Sequence, residues 1–169
     1  MRSNKRYSNV TFTKRVDHLD SQRNPDEPSM CKECGAVYAN HRWTIKKTAL
    51  KKDKNPQWHP MQYTTCPACW QKQEGIAGGF VYLDGAFFVE HREEIESLLR
   101  NEADRAAVNN PLARIMKWER EGNEKLTLTT TTEHLAQRLG HALEKAFSGS
   151  VEYNFSHENK LARVRWHRG

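Results

Sequence analysis

Four cysteines carry the strongest chemical signal in this chain of 169 residues. They stand as Cys31-Lys32-Glu33-Cys34-Gly35 and Cys66-Pro67-Ala68-Cys69, two C-x-x-C turns with 31 residues between them. Each such turn aims two thiolates and nearby backbone N–H groups at one point. Two turns together supply the four sulfurs of a tetrahedral Zn2+ site. Gly35 suits the bend after the first pair, where positive φ is often needed. Four protein ligands leave no position for a substrate, so the expected cofactor is one structural Zn2+ on Cys31, Cys34, Cys66 and Cys69. Its binding energy would fold a polar segment with few aliphatic residues.

Two other chemistries use the same residues. Cys31 to Tyr38, C-x-x-C-G-x-x-Tyr, also resembles a rubredoxin turn, which keeps iron as a rival. Against iron, Trp70 rather than glycine follows the second pair. A redox dithiol would need only one pair. His41 and His59 lie in the gap between the pairs, where either could replace a cysteine, but four thiolates make that unnecessary.

Positive charge collects around this site. The net charge is +6, yet residues 1–75 hold 14 basic and 7 acidic side chains, and residues 76–169 hold 13 and 14. Arg2, Lys5, Arg6, Lys14 and Arg15 fall in a first stretch without an acid. Arg42, Lys46, Lys47, Lys51, Lys52 and Lys54 form a second run against Asp53 alone. Such runs neutralise phosphates, the sequence-independent part of nucleic-acid affinity. The alternative is a solubilising arm and a solvated loop. Tyr38, Trp43, Trp58, Tyr63 and Trp70 interleave with the charge. Most must pack the ribbon, and Trp43 and Trp58 are the candidates to stack on an unpaired base.

Other classes find little support. There is no P-loop, G-x-G-x-x-G, G-x-S-x-G or H-E-x-x-H pattern, and no defensible acid–base pair, so a non-enzyme without a small-molecule substrate is expected. Only 37% of residues are hydrophobic. The least charged stretch, Gly75 to Val89, carries Asp84 and falls short of the roughly 20 apolar residues of a spanning helix. No membrane association is expected. The first residues lack the apolar core of a secretory signal. A cytoplasmic, reducing location follows, in which metal binding by cysteines is favoured over disulfides.

The elements that must position these residues follow from periodicity. Residues 1–28 read as an extended basic arm and 29–75 as the zinc ribbon. Residues 76–111 hold a strand at Phe80-Val81-Tyr82-Leu83 and a linking helix from Phe87 to Ala107, whose acids Glu90, Glu93, Glu94, Glu96, Glu102 and Asp104 read as a solvated face. Asn109-Asn110-Pro111 stops it. Residues 112–169 read as ββαββ. Arg114 to Glu121 is a strand or short helix, and Lys125 to Thr131 alternates. Thr132 caps a helix with Leu135, Leu139, Ala142, Leu143 and Ala146 on one face. Val151-Tyr153-Phe155 and Ala162-Val164-Trp166 alternate in the last two strands, which puts Arg163, Arg165 and His167 on the opposite face. The fold class is α+β: a ribbon, then a two-layer domain with an antiparallel sheet under helices.

Three stretches together resemble a poorly characterised bacterial zinc-ribbon family: CKECGAVY with CPAC, GGFVYLDGAFFVEHREEIESLLRNEA, and TTTTEHLAQRLGHALEKAFSGSVEY with ARVRW. The first and third are similar, more distantly, to the N-terminal region of the archaeal and eukaryotic export adaptor of the large ribosomal subunit. In that family paired C-x-x-C turns precede a small α/β unit, and Leu135 to Gly149 matches its helix and exit. This chain is shorter, keeps one four-cysteine set where the adaptor has two, and shows no export tail. The resemblance implies contact with rRNA of the large subunit near its intersubunit face, in hibernation or assembly of ribosomes. A DNA-binding or transcription-associated zinc ribbon is the competing expectation. A third is a protein adaptor in which zinc serves stability alone and the acidic helix docks the partner.

Overall fold

The computed structural model describes residues 25–52 and 58–169. Most of the expected basic arm, including Arg2, Lys5, Arg6, Lys14 and Arg15, lies outside the described residues, as does Lys54. The chain forms two compact units. One reaches to Ile76 and takes in Ala107–Leu112; the other comprises Ala77–Ala106 and Ala113–Gly169.

The first unit is a small sheet closed around cysteines. Its strands are β1 (Ser29–Cys31), β2 (Val37–Ala39), β3 (Arg42–Thr44) and β4 (Gln62–Thr64), with helices α1 (Lys46–Lys52) and α2 (Pro67–Glu74). The order is β3-β2-β1-β4. A two-residue turn at Asn40 and His41 joins β2 to β3, with φ of 53° and 59°. Both residues must be left-handed in such a turn, which its twist matches to the strands. The Glu27 carboxylate secures it by accepting from the backbone N–H groups of Asn40 (3.1 Å) and His41 (2.7 Å). Strand β4 runs parallel to β1, with Cys31 opposite Thr64. That register delivers Cys66, two residues on, beside the first cysteine pair.

The second unit has the expected two layers. Its strands are β5 (Gly79–Asp84), β6 (Ile115–Glu121), β7 (Lys125–Thr130), β8 (Ser150–Ser156) and β9 (Leu161–His167). Helices α3 (Ala86–Glu90), α4 (Arg92–Asn109) and α5 (Glu133–Phe147) accompany them. Thr132 caps α5 as its sequence position predicts, its hydroxyl accepting from Leu135 N–H at 3.1 Å. The buried stripe of α5 is Leu135, Ala136, Leu139, Gly140 and Leu143; Ala146 is exposed. Leu135, Leu139 and Leu143 pack with Ile95 and Leu99 of α4 against Val81, Leu83, Leu126, Leu128, Val164 and Trp166. Both long helices therefore cover one face of the sheet. Burying a side chain of this size removes it from water for about 1.5–3 kcal/mol, which holds the layers together.

Three features depart from the expectations. The sheet is mixed, not purely antiparallel: β5 pairs antiparallel with β7 but parallel with β9, in the order β6-β7-β5-β9-β8. The strand read as part of a linking segment is thus the central strand. The linking helix is broken at His91 into α3 and α4, where the Phe87 and His91 rings stack at 4.0 Å. The basic run, for which a solvated loop is the alternative expectation, is partly helical, forming α1.

The acidic face of α4 is also not uniformly solvated. Glu96 is 5% exposed. It accepts from Arg120 Nε (3.1 Å) and Nη2 (2.7 Å), and from Arg100 Nη2 (3.0 Å). The Arg120 guanidinium holds its carboxyl below the ordinary carboxylate range, against the opposing effect of burial. A depressed folded pKa gives stability that is present above the unfolded value of about 4.3 and is lost as pH falls through the folded value. Glu96→Gln is expected to cost about 2 kcal/mol at neutral pH. The difference from the native protein should begin to shrink as pH falls below about 4.3 and close only below the depressed folded value, where the native carboxyl is itself protonated. Thermal unfolding across pH checks this; an undiminished difference in acid would show that packing, not the ion pair, is at stake.

Candidate metal centre

The two cysteine turns are built differently and converge. In the first, Gly35 N–H donates to Cys31 O at 2.9 Å, and Cys31 N–H donates to Ala36 O at 2.7 Å. Gly35 takes φ of 75° there, as its position predicts. In the second, Cys66 is the N-cap of α2: its sulfur accepts from Cys69 N–H at 3.4 Å, and Pro67 occupies the first turn. Proline suits that position because its missing N–H would have no helical partner. The open N–H groups and positive end of the helix favour negative charge on the sulfurs. Cys66 N–H donates to Cys31 Sγ at 3.3 Å, so the turns also bond to each other.

The four sulfurs lie within 4.8 Å of one another. With Zn–S bonds of about 2.3 Å, sulfurs on a tetrahedron sit about 3.8 Å apart. Cys34 Sγ and Cys66 Sγ are 3.7 Å apart. The donor set and spacing fit one structural zinc ion, with every tetrahedral position taken by protein. Cys31, Cys66 and Cys69 are buried and Cys34 is exposed. Contact with the Cys34 sulfur, then burial, pushes the Cys66 thiol upward when protons rather than metal occupy the site. Metal binding therefore releases protons.

Among the described residues the metal-ligating group contains these cysteines and no histidine. His41 lies 3.3 Å from Glu27 instead, and His59 is exposed.

The proposed nucleic-acid residues scatter more widely. Arg42, Lys46 and Lys47 are exposed on β3 and α1. Lys51 and Lys52 end α1, but their side chains lie outside the described residues. Trp43 is not a surface platform. It is 9% exposed, its ring is 5.4 Å from that of Tyr38, and it packs with Cys31, Cys66 and Ala68. Alternation along β3 turns Arg42 outward and Trp43 into the ribbon core. Trp58 is half-buried and, with Arg42, Asn40 and Glu27, lines a cavity of about 390 Å³.

A second cavity of about 390 Å³ lies on the face of the five-stranded sheet opposite its Val81, Leu83 and Val164 core face. Tyr82, Asp84, Glu152, Arg165 and His167 line it. Only the Arg163-Arg165-His167 face was legible from sequence; its neighbours arrive through strand pairing. The comparison with protein-family models, characterised proteins and solved structures returned no match.

Proposed function

We propose that this chain is a zinc-ribbon factor that binds rRNA on the large ribosomal subunit, near its intersubunit face, and holds subunits or idle ribosomes out of translation. The observation that carries the reading is the closed four-cysteine centre in a unit that also exposes Arg42, Lys46 and Lys47. A closed site shapes a surface and does no chemistry of its own, and cations on the same unit suit phosphates. The chain then acts by binding, not as an enzyme, in the cytoplasm. Among the described residues no helix is long and apolar enough to cross a membrane.

Sucrose-gradient sedimentation of the tagged protein in lysates of growing and starved cells tests this. At about physiological salt, where screening extends roughly 8 Å, comigration with the large subunit or with idle ribosomes is expected. Growth phase separates assembly from hibernation. Protein remaining at the top under both conditions would remove the ribosomal reading. The helical form of the basic run favours a second reading, a DNA-binding ribbon. That reading predicts salt-sensitive binding to duplex DNA in preference to structured RNA.

A further inference from the structure

On the sheet face opposite the Val81, Leu83 and Val164 core face, strand register builds a row of side chains at one end of the sheet. Tyr82 of β5 lies opposite Arg165 of β9, and Arg165 opposite Glu152 of β8. One row on, Asp84 lies opposite His167, and His167 opposite Ser150. The Arg165 guanidinium sits 4.9 Å from the Tyr82 ring centroid. His167 Nδ1 is hydrogen-bonded to Asp84 Oδ1. These side chains line one cavity of about 390 Å³, at the lower end of the 300–1,000 Å³ of small-ligand sites.

We infer that this cavity binds the base of an unpaired guanine nucleotide. Three features of the row point there. The Tyr82 ring is stacked beside the Phe80 ring at 6.1 Å and supports the exposed Arg165 guanidinium laid over it, which offers a cationic plane on which an unpaired base stacks. Glu152 is exposed and makes no ion pair among the described residues. Its carboxylate presents two acceptor oxygens side by side. Guanine alone among the RNA bases presents two adjacent donor groups, N1–H and N2–H, on its pairing edge. Adenine, cytosine and uracil each offer one donor group there, so the carboxylate selects among bases while the stack binds them all. Asp84 is held by His167 and positions that ring at the rim.

The inference extends the RNA-binding reading and rests on it for the source of the base, a single strand or a free nucleotide. Anisotropy of labelled UGUGUG, UAUAUA and UCUCUC with the full zinc-loaded chain tests it. UGUGUG should bind about tenfold more tightly than the other two. Glu152→Gln should erase that preference and leave UAUAUA binding unchanged. Tyr82→Leu and Arg165→Ala should each weaken all three about tenfold, with Tyr82→Phe retaining binding. GMP displacing UGUGUG as well as unlabelled UGUGUG does assigns the pocket to the free nucleotide; weak displacement assigns it to the strand. Equal affinity for the three repeats in the native protein, or a preference that survives Glu152→Gln, would overturn the inference. Ribosome comigration is scored separately, so a failed pocket with intact comigration leaves the ribosomal reading standing.

Discussion

Replacing Cys66 by Ser is expected to abolish zinc binding, unfold residues 31–75 and leave the five-stranded unit folded. The ribbon's buried cluster is Cys31, Ala36, Tyr38, Trp43, Cys66, Ala68 and Cys69. Three of its members are metal ligands, so the core and the site are nearly the same object. A structural Zn2+ supplies about 10–16 kcal/mol of apparent binding energy in small zinc domains. That is comparable with the whole stability of an ordinary domain, about 5–15 kcal/mol. A cluster this small cannot replace it. The five-stranded unit has its own core, with Leu83, Phe88, Leu99, Leu128 and Trp166 fully buried. Metal analysis should show one zinc per native chain and none in the variant. Hydrogen exchange should show protection lost from the ribbon and kept in the sheet. Cys34→Ser separates ligation from packing. Cys34 is exposed, so a packing role predicts tolerance, whereas ligation predicts the same loss as Cys66→Ser. A ribbon that keeps its protection without metal would refute the zinc assignment.

Much of this was readable in the chain because the relevant signals are local. The cysteine spacing, Gly35 after the first pair, the Thr132 cap and the alternation through Ala162, Val164 and Trp166 each occupy a few consecutive residues. What escaped depends on pairing across long separations. Nothing near Ser29–Cys31 announces that it will lie parallel to Gln62–Thr64, nor Gly79–Asp84 that it will lie parallel to Leu161–His167. Parallel strands are joined by crossovers, and no turn motif marks their register. The cavity on the sheet inherits that blindness: Asp84 and His167 are 83 residues apart in sequence. Trp43 failed for a different reason. Its strand is three residues long, too short for alternation to show which neighbour faces inward. Glu96 looked like one more acid on a charged helix, because its partner Arg120 comes from β6, 24 residues away.

Changing Lys46, Lys47, Lys51 and Lys52 together to Glu is expected to remove ribosome association while the zinc centre and both units stay intact. The substitution takes the net charge from +6 to −2 and turns a cationic run against the phosphates it is proposed to meet. Lys46 and Lys47 are exposed, so their loss leaves no buried group unpaired. Each neutralised phosphate contributes about −0.7 to −0.9 to the slope of log affinity against log salt. Four such contacts weaken native binding to an rRNA fragment roughly a hundredfold between 50 and 200 mM salt. The variant should lose that dependence together with the affinity. Titrations of both proteins at several salt concentrations, with zinc content measured on each, decide the matter. Unchanged affinity with a normal zinc content would remove this surface from the interface. It would shift the proposed contact to the five-stranded unit, or favour an adaptor in which the ribbon serves stability alone. A flattened slope with intact zinc would place the phosphates on the ribbon, because only charged contacts displace counterions.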